Sequence, residues 1–269
     1  MCRFVVFRNL KFYKGACIIM VDPVLGAVLL SLAAGSATGL GAVPLFFKRI
    51  FTHHFYDSMI GFSAGVMLSA AIFSLMEPAL TQGVWWEVLL GFMGGVLFIA
   101  FLNRTIPHAH ARFTHGGKVS KEIQRGMLLA GAVAIHNLPE GFAVGAGYVS
   151  GIPEAGAVLA LAIGMHNVPE GFAVAHPFSE AGRSAVTCLA ISTLSGLVEP
   201  LGALMGALLI NAGWAILPFG LGFASGAMIY VVFAELIPES HSHGYSGSAT
   251  LMTIAGFVLV LTLDLIIVR

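Results

Sequence analysis

Long apolar runs separated by short polar connectors set the pattern of this chain. Eight runs approach or exceed the roughly 20 residues that a helix needs to cross a bilayer. They lie at about 22–47, 59–80, 88–104, 125–149, 154–177, 184–210, 214–236 and 249–268. The pattern predicts an all-α polytopic membrane protein with eight transmembrane helices, numbered here as spans 1 to 8. Span 3 is the shortest. Glycine is abundant, 33 residues in the whole chain, and most lie within these runs, as expected where membrane helices pack closely.

Polar residues interrupt three of the runs near mid-depth. Span 4 reads Ile135-His136-Asn137-Leu138-Pro139-Glu140-Gly141-Phe142-Ala143-Val144, and span 5 reads Met165-His166-Asn167-Val168-Pro169-Glu170-Gly171-Phe172-Ala173-Val174. In each copy the histidine precedes the glutamate by four residues, so both side chains lie on one helical face. The proline before each glutamate has no N–H to give the carbonyl four residues back, which frees the carbonyls of Ile135 and Met165. Span 6 carries a third carboxylate, Glu199, followed by Pro200. An ionised carboxylate at the bilayer centre costs about 2.5–3.5 kcal/mol on insertion scales, and no Lys or Arg lies at that depth to pair with these three. A single His–Glu pair could be structural. Two copies with a third carboxylate nearby read as ligands for a divalent cation.

Composition agrees. Hydrophobic residues make up 58% of the 269 and charged residues 10%, against about 25% charged in soluble domains; mean hydropathy is +0.92. A net charge of zero gives no case for nucleic acid. Cys2, Cys17 and Cys188 form neither a disulfide framework nor a zinc ribbon. Lys48 and Arg49 lie between spans 1 and 2. Arg104, Arg112, Lys118, Lys121 and Arg125 lie between spans 3 and 4, and Arg183 between spans 5 and 6. Loops 2–3, 4–5 and 6–7 have none, so the odd loops are expected in the cytoplasm and both termini outside. The basic tail 1–21 runs against this orientation. A start at Met20 accounts for that tail better than a signal peptide ending near Ala33-Ala34-Gly35.

A quieter repeat lies outside the motifs. Gly61-Phe62-Ser63-Ala64-Gly65-Val66-Met67 of span 2 returns 161 residues later as Gly222-Phe223-Ala224-Ser225-Gly226-Ala227-Met228 of span 7. The same offset lays Leu40-Gly41-Ala42 on Leu201-Gly202-Ala203, and span 3 on span 8. Five spans separate each pair, so the halves face opposite ways across the membrane, as in many secondary transporters.

Two H-N-x-P-E-G motifs in spans 4 and 5 of an eight-span chain resemble the ZIP family of divalent metal transporters, most closely its bacterial ZupT-type branch. The resemblance runs from about residue 22 to the end and implies a single transmembrane domain, 22–269. Its 3+2+3 fold would set inverted spans 1–3 and 6–8 around spans 4 and 5. It also implies a binuclear metal centre. His136, Glu140, His166 and Glu170 would form one position; Asn137, Glu140, Asn167, Glu170 and Glu199 would form the other. Some relatives carry Gln in place of His166 and Asp in place of Asn167. The expected activity is uptake of zinc into the cytoplasm, with ferrous iron, manganese and cobalt also carried and no organic cofactor. The expected setting is the inner (plasma) membrane, among lipid, and a homodimer is compatible with it.

An intramembrane metal-dependent hydrolase is the competing reading, since it too needs His and carboxylate ligands. It lacks the H-E-x-x-H helix and has no use for an inverted repeat. A metal sensor would want a soluble output domain. Several other polar groups could serve the path. His108, His110 and His115 lie in the cytoplasmic loop 105–124. Glu235, Glu239, His241 and His243 lie at the end of span 7, where an exit relay is expected. His53, His54, Glu77 and His176 flank the expected path, and Asp22 and Asp264 fall near span ends.

Overall fold

The computed structural model describes residues 22–47, 52–114, 120–150, 153–213 and 216–268. Among them, eight helices are long and apolar enough to cross a membrane. Span 1 is Pro23–Phe47, span 2 His53–Gln82, span 3 Trp85–Thr105 and span 4 Glu122–Val149. Span 5 is Gly156–Glu180, span 6 Ala185–Ala212, span 7 Leu217–Ser240 and span 8 Ser246–Ile267. The tail 1–21 with Cys2 and Cys17, the Lys48–Arg49 pair, His115 and Lys118 lie outside the described residues.

Several spans start on a side-chain cap, which satisfies N–H groups that a first turn leaves unpaired. Asp22 accepts from the backbone N–H of Val24 and Leu25 at 3.0 and 3.1 Å. Thr52, Ser120 and Ser184 do the same for Phe55, Ile123 and Thr187. Asp22 is therefore a cap. The third helix does not end with its apolar stretch: it continues as a polar helix to Thr114. His108 and His110 thus lie on helical backbone, where the sequence suggested a loop. Ala109, Ala111 and Arg112 all favour helix.

Two departures from regular helix matter for the site. Span 6 breaks between Gly196 and Glu199, ending one helix and starting the next at Glu199. Pro200 has no N–H to continue the first helix. Spans 2 and 7 each contain a π-helical stretch, Ala70–Met76 and Val232–Leu236. Both end two residues before a proline, Pro78 and Pro238.

Glycines set the packing. Span 8 lies along span 2, span 3 along span 7, and spans 1, 4, 5 and 6 pack on one another. Gly61 and Gly65 leave no room for a Cβ against the carbonyls of Ala249 and Thr253; Gly222 and Gly226 leave none against those of Val88 and Phe92. Each contact of the second pair is the first moved by the 161-residue offset with partners exchanged: 61 and 249 become 222 and 88. Where spans 1 and 6 cross, Gly35 meets the carbonyl of Gly196 and Gly196 meets that of Gly35, again 161 residues apart. Small residues permit such backbone-to-backbone approach inside membranes.

Candidate metal centre

The motif glycines dock spans 4 and 5 on their neighbours. Gly141 abuts the carbonyl of Glu199 on span 6, and Gly171 abuts that of Thr38 on span 1. The motif asparagines reinforce both contacts. Asn137 Nδ2 donates to the Ser195 carbonyl at 2.9 Å, and Asn167 Nδ2 donates to the Ala34 carbonyl at 2.8 Å. The Ser192 hydroxyl lies 2.8 Å from the Thr38 carbonyl and 2.9 Å from that of Gly171, pinning spans 1, 5 and 6 together. On the other side of span 5, Ser63 of span 2 donates to the His166 carbonyl at 3.3 Å.

This docking gathers the polar faces. His166 Nε2 lies 3.4 Å from Glu140 Oε2, and His166 Nδ1 lies 3.4 Å from Glu170 Oε1. One ligand atom from each of Glu140, His166 and Glu170 falls within 4.8 Å of the others, and all three residues are buried. Glu199 joins through Asn167, whose Nδ2 also donates to Glu199 Oε1. The break in span 6 places Glu199 at a helix start, facing these motifs.

The polar atoms left over are informative. Both oxygens of Glu140 and Glu170, both nitrogens of His166, Oε2 of Glu199 and Oδ1 of Asn137 and Asn167 are buried without a hydrogen-bond partner. Each such atom costs about 1–3 kcal/mol if nothing answers it. Apart from the one His166 ring nitrogen that carries the N–H, each is a nitrogen or oxygen lone-pair donor, and together they form an N/O set suited to a borderline divalent cation. Sulfur is absent from it.

The structure brings together three of the four residues that the resemblance assigns to one metal position. The fourth, His136, is buried but directs its Nε2 to Glu235 Oε1 of span 7 at 3.1 Å. Glu235 also accepts from Asn103 Nδ2 of span 3. Glu235 therefore lies beside a motif histidine, deeper than an exit mouth; its unneutralised charge within an apolar run was the available signal. His176 pairs with Glu180 at 3.7 Å near the end of span 5, and Glu239 accepts from the Tyr56 hydroxyl at 2.9 Å. His241 is tied to the Ile237 carbonyl and to Thr250. Asp264, also buried, accepts from Ser74 at 3.4 Å. Asp57, fully buried at the start of span 2, escaped the sequence reading because it follows the polar cluster His53-His54 and looks interfacial.

Against this geometry, a family model described as ZIP Zinc transporter matches residues 114–264. The zinc transporter GufA of Myxococcus xanthus is 39% identical over 244 residues, covering 87% of this chain and 96% of that protein. The zinc transporter ZIPB of Bordetella bronchiseptica is 39% identical over 248 residues, covering 88% and 80% respectively. The zinc transporter ZupT of Corynebacterium glutamicum is 38% identical over 252 residues, covering 86% and 95%.

Proposed function

The chain belongs to the ZIP zinc transporter family, and from that premise we propose that it takes up zinc across the membrane through the cluster around Glu140, His166 and Glu170. The family is one of transporters, which sets aside the hydrolase alternative. The observation that carries the reading is the set of buried lone-pair donors left without partners, concentrated on the two motifs and Glu199.

Charge supports it. Among the described residues the only ion-pair partner of Glu140 and Glu170 is His166, and Glu199 is answered by an amide. Three bare carboxylates at mid-depth would cost roughly 8–10 kcal/mol. One divalent ion reduces their formal charge from −3 to −1, and a second brings it to +1. The geometry suits a first ion held by Glu140, His166 and Glu170. A second would use Asn137, Asn167 and Glu199, with both motif glutamates shared. His136 then acts either in the first position after its ring turns from Glu235, or as the next stop toward Glu235. Nitrogen and oxygen donors favour zinc, ferrous iron, cobalt and manganese. Magnesium and calcium prefer all-oxygen shells.

The exchanged glycine contacts favour a two-state carrier, in which spans 1, 4, 5 and 6 move as one body against spans 2, 3, 7 and 8. With the odd loops in the cytoplasm, both termini lie outside and zinc leaves past Glu235. Uptake of radioactive zinc into vesicles holding the purified chain tests the reading. Glu140→Ala and Glu170→Ala should each insert normally and carry no zinc above empty vesicles. Near-normal uptake by either would remove the cluster from the pathway.

A further inference from the structure

A groove of about 520 Å³ lies at the end of the bundle where spans 4 and 6 begin and span 5 ends. Ile123, Met127 and Gly131 line it from span 4, at spacings of four residues that keep them on one helical face. Thr187 and Ile191, also four apart, line it from span 6, and the buried Phe178 completes it from span 5. The Phe178 ring fills the space beside Gly126, where an added Cβ would meet it at 2.7 Å. Beside Gly131 such a Cβ meets nothing within 4 Å, so the protein leaves that stretch open. From Ile123 to Gly131 the groove runs roughly 12 Å at 1.5 Å per residue. That length fits within one leaflet, about half of the 30 Å hydrocarbon core.

One cation stands at the mouth. Arg183 lines the groove from the turn between spans 5 and 6. It is exposed, and its side chain forms no ion pair or hydrogen bond among the described residues. Glu180, three residues earlier, is paired with His176 at 3.7 Å. The sequence adds Lys121 and Arg125 in the first turns of the helix Lys121–Val149.

These features select the occupant. Apolar walls on membrane-spanning helices meet acyl chains. An unanswered guanidinium at the level of the head groups calls for an anion, and Arg matches phosphate geometry. Basic pockets between membrane helices recognise anionic head groups in this way. A zwitterionic lipid offers the same chain and phosphate but brings its own cation, so it gains less from Arg183.

We propose that this groove seats one anionic phospholipid, with its phosphate on Arg183 and the upper part of an acyl chain along Met127 and Gly131. The spans it touches carry Glu140, Glu170 and Glu199, so the lipid ties the ligand-bearing spans to one leaflet. Binding itself needs nothing of the zinc reading.

Lipid titration of the full-length chain in detergent tests it, with bound copies counted by native mass spectrometry. One phosphatidylglycerol should bind at a lower concentration than phosphatidylcholine does. Arg183→Gln, at an exposed turn, keeps the fold and should raise the phosphatidylglycerol midpoint about fivefold while leaving that of phosphatidylcholine in place. Phosphatidylglycerol with a photoreactive diazirine on its acyl chain should leave adducts within 123–131 and 187–191. Gly131→Leu fills the open stretch with a residue that favours helix over glycine, and those adducts should disappear. Equal midpoints for the two lipids, or a phosphatidylglycerol midpoint unmoved by Arg183→Gln, would overturn the seat. Adducts that fall elsewhere in the unaltered chain, or that persist in Gly131→Leu, would overturn it as well.

Discussion

Gly171→Ala offers a sharp test, because it adds one methyl and touches no proposed ligand. The added Cβ would collide with the Thr38 carbonyl and stand 2.7 Å from Ser192 Oγ. Restoring ordinary contact distances parts spans 1 and 5 by roughly 1–2 Å at this point. The neighbouring residue is Glu170, whose Oε1 lies 3.4 Å from His166 Nδ1. Metal–ligand bonds tolerate errors of only about 0.2 Å, so the displacement is several times what the site can absorb. Overpacking of this kind costs about 1–3 kcal/mol, partly offset by the roughly 1 kcal/mol that alanine gains over glycine in a helix. Gly131 is the matched control: it lies in the helix of span 4, and a Cβ there meets nothing within 4 Å. Gly131→Ala should keep full zinc uptake and leave the melting temperature equal or higher. Gly171→Ala should lose about nine-tenths or more of uptake and melt lower by a few degrees, at roughly 2–4 °C per kcal/mol. Uptake into vesicles and thermal unfolding in detergent are the assays. Equal uptake by the two variants would refute the claim that the motif glycine sets the position of Glu170.

Other outcomes follow from the same geometry. His166→Asp replaces the one imidazole of the tight cluster by a hard oxygen donor and should shift competition in vesicles from zinc toward manganese; unchanged selectivity would place His166 outside the shell. For the unaltered chain, magnesium and calcium in large excess should not slow zinc uptake, and a tenfold excess of either that halves it would contradict nitrogen ligation. Asn137→Ala and Asn167→Ala each remove a tie between a motif span and its neighbour as well as a donor oxygen. Each should reduce uptake and lower the melting temperature together; a loss of neither would show that these amides are idle. Single cysteines beside the cluster should react with membrane-impermeant reagents from one face at a time, and simultaneous labelling from both faces would indicate a channel.

The spans were legible because a bilayer tolerates little except continuous apolar helix, and the repeated motif announced itself by its charge at depth. The 161-residue echo was legible as glycines, and the contacts of Gly61 and Gly222 explain why a larger side chain has no room there. What stayed hidden depends on partners distant in sequence. Glu235 looked like a mouth residue because nothing nearby reveals that His136, a hundred residues earlier, turns toward it. The interruption before Glu199 reads as an ordinary proline in an apolar run, since a broken and a kinked helix share that signal. The π-helical turns of spans 2 and 7 leave no compositional mark beyond the prolines that follow them. Asp57 was concealed by its neighbours, and only the fold shows it sealed beneath His243.

The crossing of Gly35 with Gly196 has an ancestral meaning. A residue that touches its own copy is making a self-complementary contact, the kind found on the two-fold axis of a homodimer. Two identical three-span chains inserted in opposite senses would form this crossing from one gene. Joining them through spans 4 and 5 would preserve it while releasing each from identity with the other. Positions 199 and 38 lie 161 residues apart and each sets its carbonyl against a motif glycine, Gly141 and Gly171, but only position 199 carries a carboxylate. A symmetric ancestor had to carry both carboxylates or neither. The chain holds one, so the cluster of carboxylates is lopsided about the pseudo-two-fold relation that the glycine crossing obeys.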